Sequence, residues 1–272
     1  MQTEDGVIEG HDSCSAYLQK TLEDLLLHPA NLDPAAQEAL LDHVEEVFTK
    51  RDNDKLTAPV TREEVWESVL TSNANSAPGT DGITSLVYRE HFDILGDALT
   101  DVVKEIHDGK APTQSQGTSM MIFTTKPKKQ NCIKASSKRR ISLLNCDFKT
   151  ITGIELNRYK HLLTHTLSAN QMAAGDNRRI SHAITLARDA IFTAGKSKEG
   201  CGLADLDYEA AFDFLSLEWV RLVMKKKGVT EKALDRFTNL YKGGTTIPVV
   251  NNMLGNKIQN NGMSLRQGDR PS

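Results

Sequence analysis

Cysteine is scarce: Cys14, Cys132, Cys146 and Cys201 are the four among 272 residues, far apart, with no Cys-x-x-Cys pair and no histidine at zinc-ligand spacing. That excludes a zinc ribbon and a disulfide framework and leaves reduced thiols. Aromatic residues make up only 6% of the chain, and no apolar run approaches the length of a membrane span. A membrane partner is not expected. Where a secretory leader would need positive charge followed by an apolar stretch, the N-terminus carries Glu4, Asp5, Glu9 and Asp12. The expected location is intracellular, in the cytoplasm or the nucleus.

What is present is unevenly distributed. The formal charge is only -3, but residues 1–56 hold 13 acidic and 4 basic residues, a local balance of -9 that leaves +6 for the remainder. Residues 109–146 contain no Asp or Glu, yet they carry Lys110, Lys126, Lys128, Lys129, Lys134, Lys138, Arg139 and Arg140. Such a cluster suits phosphate, although a solvated basic loop has the same composition.

Turn and cap signals divide the chain. Asp33-Pro34 opens a helix whose apolar period runs through Leu40, Leu41, Val44, Val47 and Phe48. Arg51 to Lys55 has the polarity of a linker, and Thr61-Arg62-Glu63-Glu64 is a capping box. Ser76 to Gly82 is a dense turn, followed by a helical period from Leu95 to Ile106 that stops at Gly109. Met120–Thr125 and Ile141–Leu144 read as the two strands of a long hairpin with a basic tip. Helices are expected at 147–163 and 181–192, then a short apolar strand at 202–207. Two helices capped by Ser216 and Thr230 follow, and a hairpin from 245–250 to 255–259. Three regions result: an acidic helical segment at 1–56, a region with the basic hairpin at 57–200, and a final region at 201–272.

The strongest local signal is Leu203-Ala204-Asp205-Leu206-Asp207-Tyr208-Glu209-Ala210-Ala211-Phe212-Asp213. Alternation along a strand puts Asp205 and Asp207 on one face, and carboxylates that close favour a cation between them. A solvent-exposed strand end fits the spacing equally well. The run Asp207 to Asp213 also resembles the Asp-x-x-x-Ala-Phe-Asp of motif A in reverse transcriptases. Further matches follow the order of the non-LTR retrotransposon branch. Ser76 to Thr84 resembles its Ser-Pro-Gly-x-Asp-Gly motif, and Lys128, Arg139 and Ile141-Ser142-Leu143-Leu144-Asn145 resemble its fingers strands. Ser168 to Arg178 keeps the Gln171 and Arg178 of another segment, and Arg266-Gln267-Gly268 resembles motif B. Arg140, Ala174, Asn177 and Asp269-Arg270 depart from the family pattern.

The resemblance implies an α+β fold: right-hand polymerase fingers and an incomplete palm, with an antiparallel sheet packed by helices and the hairpin arching over Asp207. It implies an RNA-directed DNA polymerase working on an RNA template and a DNA primer with deoxynucleoside triphosphates. Catalysis would be two-metal nucleotidyl transfer with magnesium (Mg2+) as cofactor. Asp207 would be the catalytic metal ligand, joined by the Tyr208 carbonyl. Lys128, Arg139, Phe212, Gln267 and Gly268 would hold the nucleotide, with Phe212 beneath the sugar. Lys126, Lys129, Arg140 and Arg178 would contact nucleic acid. The Asp-Asp turn of the family occurs nowhere in these residues, and neither does a thumb. Little polymerisation is therefore expected of the free chain. A non-catalytic RNA-binding or interaction module derived from such an enzyme is the second expectation. A phosphatase-like use of Asp205 and Asp207 fits the flanking motifs less well.

Overall fold

The computed structural model describes residues 2–3, 6–27, 33–125, 138–163, 166–173, 178–196, 202–207, 215–260 and 266–270. The chain opens with a small hairpin, β1 (Gln2–Thr3) and β2 (Gly6–Val7), and continues through the helices α1 (His11–Leu27), α2 (Pro34–Leu41), α3 (Lys50–Thr57), α4 (Arg62–Thr71), α5 (Ser85–Glu90), α6 (Phe92–His107) and α7 (Gln114–Gly117). Strands β3 (Thr118–Thr125) and β4 (Lys138–Leu144) follow, then α8 (Cys146–Leu163), α9 (Ile180–Lys196), α10 (Leu217–Lys226) and α11 (Glu231–Tyr241), and finally β5 (Thr245–Val250), β6 (Met253–Leu254) and β7 (Ile258–Gln259).

Side-chain caps open five of the helices, among them the expected one at Ser216, whereas Thr230 makes no side-chain cap bond. Asp33 accepts from the Ala35 amide with Pro34 in the first turn, and Thr61 and Glu64 complete the expected capping box. Two further expectations fail here. The helix begun at Pro34 stops at Leu41, and Val47 and Phe48 instead both donate their amides to the Lys227 carbonyl, at 2.9 Å each. Phe48 is buried in the core while Leu40 stays exposed, and tertiary burial overrides the helical period. The polar run from Arg51 to Lys55 lies in α3 rather than in a linker. Thr49 and Asp52 form a reciprocal cap, while Asn53 and Leu56, three residues apart, turn one face inward.

The α+β class holds, and the main sheet is mixed rather than wholly antiparallel. Its order is β4-β3-β5-β6, with β7 also paired to β5. β3 and β4 form the expected hairpin, in register from Ser119↔Leu144 to Thr125↔Lys138. β5 runs parallel to β3, because it returns to the sheet only after the intervening helices. The expected terminal hairpin turns at Asn251-Asn252, whose φ angles of 51° and 64° suit a tight two-residue turn, and its return strand is split into β6 and β7.

Helices α4, α6 and α8 pack around a core that includes Val65, Val69, Val103, Leu144, Phe148 and Ile151. A second cluster joins Phe48 and Leu56 to Tyr159, Val229 and Leu234. Next to it, Arg158 donates to the carbonyls of Leu56, Ala58 and Pro59 at 3.0, 2.7 and 3.2 Å and pairs with Glu64 at 2.8 Å. Arg236 donates to the Leu56 carbonyl at 2.7 Å, and its Nε lies 2.6 Å from Glu155. Two guanidinium groups thus satisfy the carbonyls at the end of α3, where a helix leaves acceptors without partners.

Candidate functional site

The basic hairpin places its arginines on both faces. Arg139 and Arg140 are successive residues of β4, opposite Thr124 and Phe123, so their side chains leave the sheet in opposite directions. Arg139 is exposed and Arg140 half-buried, and the Lys138 ammonium donates to Thr125 Oγ1 at 2.8 Å. Lys126, Lys128 and Lys129 lie outside the described residues.

At the other end of β4 the turn at 76–82 docks on Asn145. The Asn145 amide nitrogen donates to the Ser115 carbonyl at 3.1 Å and to its hydroxyl at 3.2 Å. Its side-chain oxygen accepts from the Thr80 hydroxyl at 3.3 Å and the Asp81 amide at 3.4 Å. Gly79 crosses so closely that an added Cβ would lie 2.3 Å from the Asn145 backbone nitrogen, which no side chain tolerates. The glycine of one motif therefore exists for the asparagine of another. Beside this junction Asp147 is held by Gln116 at 2.9 Å, and burial pushes its carboxyl above the usual range, with Asp81 adding to the effect. Asn145→Ala should cost about 1–2 kcal/mol, because it removes at once the hydrogen bonds by which this buried side chain holds Ser115, Thr80 and Asp81. Urea unfolding measures this, and an unchanged midpoint would show that the turn does not depend on Asn145.

Gln267 and Gly268 lie against the same strand. The Ser142 amide donates to the Gln267 carbonyl at 2.7 Å, and Gly268, at φ 112°, packs so that a Cβ would lie 2.5 Å from the Ser142 carbonyl oxygen. The two residues that depart from the family motif are anchors. Asp269 is buried and accepts from Thr152 at 2.7 Å and Tyr241 at 3.1 Å. Arg270 reaches α4, donating to the Ser68 hydroxyl at 3.0 Å and carbonyl at 2.9 Å and to the Ser72 hydroxyl. Gly153 leaves the space for it, since a Cβ there would lie 2.3 Å from the guanidinium. Burial raises the Asp269 pKa, partly offset by hydrogen bonds from Thr152 and the Arg270 amide and by the charge of Arg266, and burial lowers the pKa values of Arg266 and Arg270, partly offset by the Asp269 charge. Spacing alone could not reveal these contacts, which join residues from 28 to 202 positions apart.

The acidic run is placed differently from expectation. Residues 202–207 are not a strand: they carry no ladder, and Leu203 and Leu206 are 78% and 87% exposed. The leucines have opposite parity, so a strand here needs apolar cover on both faces, and none of the described segments supplies it. Asp205 and Asp207 are exposed; Tyr208 and Phe212 lie outside the described residues. The two carboxylates have the hard oxygen chemistry that magnesium prefers, but among the described residues no group of three candidate ligands converges. Arg178 turns to its own loop, donating to the carbonyls of Ser168, Ala169 and Gln171 at 2.9–3.0 Å.

The fold is thus an α+β arrangement in which a basic hairpin, the turn at 76–82 and the segment 266–270 meet along one strand. No protein-family model matches the chain. It is similar to the Transposon TX1 uncharacterized 149 kDa protein of Xenopus laevis, with 27% identity over 189 residues. That alignment covers 69% of this chain and 14% of the relative, so the chain spans a small part of that protein's length.

Proposed function

We propose that this chain is the fingers and first part of the palm of a non-LTR retrotransposon reverse transcriptase, and that its own activity is to grip RNA or an RNA/DNA duplex. The observation that carries the reading is the convergence on β4: three motifs far apart in sequence, at 76–82, 139–145 and 266–268, share one strand and its end. The similarity to a transposon protein supports it. Arg139 and Arg140, with the lysines of the same acid-free segment, supply phosphate contacts, and arginine adds bidentate geometry. Asp207 is the residue through which a longer polypeptide would hold magnesium, which neutralises charge in nucleotidyl transfer.

The test is binding of a short RNA hairpin and an RNA/DNA duplex over a range of salt concentrations. Counterion release should make the affinity fall as salt rises. Replacing Lys128, Arg139 and Arg140 together with alanine should weaken binding about tenfold or more and flatten that dependence, since each lost phosphate contact removes roughly 0.9 from the logarithmic slope. Equal affinity and slope in the folded triple variant would end the assignment. A second reading, a non-catalytic module, is favoured by Gly268, whose missing side chain makes room for the Ser142 carbonyl rather than for a nucleotide. Under that reading RNA binds as above and a deoxynucleoside triphosphate does not.

A further inference from the structure

Helix α1 joins the acidic N-terminus to the main sheet. Leu18, Leu22 and Leu26 recur every fourth residue and are buried, and Leu22 and Leu26 pack with Met121, Phe123 and Ile258. Gln19 Oε1 accepts from the Asn256 amide at 3.3 Å, and at the helix start the Asn251 carboxamide nitrogen lies 3.4 Å from His11 Nδ1. These contacts fix both the face of the sheet that α1 covers and the way it points.

The face is that of Arg140. Directly opposed residues of an antiparallel pair project to the same side, and Met121 and Phe123 stand opposite Ser142 and Arg140. The direction follows from β5, which runs parallel to β3 with Val249 across from Ile122. Asn251 comes two residues later, level with Thr124 and hence with Arg139 on β4. The start of α1 therefore lies at the end of the sheet that carries the arginines, with β4 two strand spacings, or roughly 10 Å, from the Asn251 strand. What it brings there is negative: the first twelve residues hold Glu4, Asp5, Glu9 and Asp12 and no lysine or arginine. Glu9 and Asp12 are exposed. The backbone on both sides of Glu9 is tied to the helix, since Cys14 donates its amide to the Gly10 carbonyl at 3.2 Å and its thiol to the Ile8 carbonyl at 3.7 Å.

We propose that the start of α1 is an electrostatic brake built into the fold: Glu9 and Asp12 lower the affinity of the basic hairpin for the phosphates of a nucleic acid. The brake acts on the grip proposed for Arg139 and Arg140 and rests on that reading. It has the range to act. The Debye length is about 10 Å at 0.1 M salt, so carboxylates held at this end of the sheet still repel phosphate bound at β4, and higher salt silences them. A strand that makes many contacts binds against the repulsion, whereas a polyanion held by few contacts does not. The brake thus selects against indiscriminate binding to the basic segment.

Two double variants of the whole chain separate position from net charge. Glu9→Gln with Asp12→Asn removes two carboxylates at the start of α1, and Glu23→Gln with Asp24→Asn removes two near its end, roughly 18 Å further along the helix axis. Glutamine at 23 keeps an acceptor for Gln19 Nε2, which donates to Glu23 at 3.0 Å. Affinity for a short RNA hairpin at about 50 mM salt should rise about threefold to fivefold in the first variant and less than about 1.5-fold in the second, with the difference gone near 0.5 M salt. Matching circular dichroism shows that both remain folded. Equal gains in the two variants would mean that net charge alone acts and would overturn the brake, as would no gain in the first. The grip is judged separately, by replacing Lys128, Arg139 and Arg140 with alanine. If binding needs those three cations and the first variant changes nothing, the brake alone falls. If neither the parent nor the first variant binds the RNA, both fall.

Discussion

Arg236→Ala is expected to destabilise the protein by about 3–5 kcal/mol, because it leaves a buried carboxylate without its cation. Arg236 and Glu155 are both buried, with Nε 2.6 Å from Oε1 and Nη2 3.0 Å from Oε2, and Arg236 also donates to the Leu56 carbonyl. Burial pushes the Glu155 carboxyl upward, and the guanidinium offsets part of that push. The attraction itself is not the source of the loss, since desolvation of the two ions offsets most of it. Replacing both residues with methionine, which removes both charges and keeps much of the volume, should therefore cost far less than the single change. Urea unfolding of the two variants and the parent decides the point. If the double variant is as unstable as the single one, packing rather than charge explains the loss.

Acidification from pH 7 to pH 4 should destabilise the parent by about 2 kcal/mol more than a His107→Gln variant. Arg158 Nη1 lies 2.8 Å from His107 Nε2, and arginine can only donate, so this nitrogen accepts and the ring is neutral. Burial, reinforced by Arg236 and Arg158, lowers the His107 pKa from 6.5 to about 4. Between those values the unfolded chain binds the proton and the folded one does not, so stability is full above about pH 6.5 and is lost as pH falls towards 4. Glutamine keeps an acceptor in place of Nε2 without a titrating group. Parallel pH profiles for the two proteins would show that His107 does not carry the dependence.

Elements with a local cause were legible in the sequence. The Thr61 and Asp33 caps, the stop at Gly109 and the paired strands around the basic segment all follow from residues within a few positions of one another. What failed depended on partners far away. Phe48 belongs to a cluster completed by Val229 and Leu234, so the helical period that included it was misleading. Residues 202–207 have strand composition but no neighbour among the described segments. The site divides in the same way. Arg139 and Arg140 stand out from the absence of acids around them, whereas Asn145 looked like one more match until the Gly79 contact gave it a purpose. Asp269 and Arg270, read as departures from a pattern, are fixed by Thr152, Tyr241 and Ser68, and no count of spacing could have found those partners.

The parallel pairing of β3 with β5 also constrains the order of assembly. Ser119 Oγ donates to the Thr245 carbonyl, a contact between residues 126 apart in the chain. β4 can close on β3 as soon as both have emerged from the ribosome, but the opposite edge of β3 must wait until residue 245 follows. Contacts of such separation form late and slow folding. During that interval β3 presents bare amides and carbonyls to any neighbouring chain. Truncations that end before Thr245 should therefore aggregate more readily than those that end after Gln259, and slower translation through residues 164–244 would lengthen the exposure.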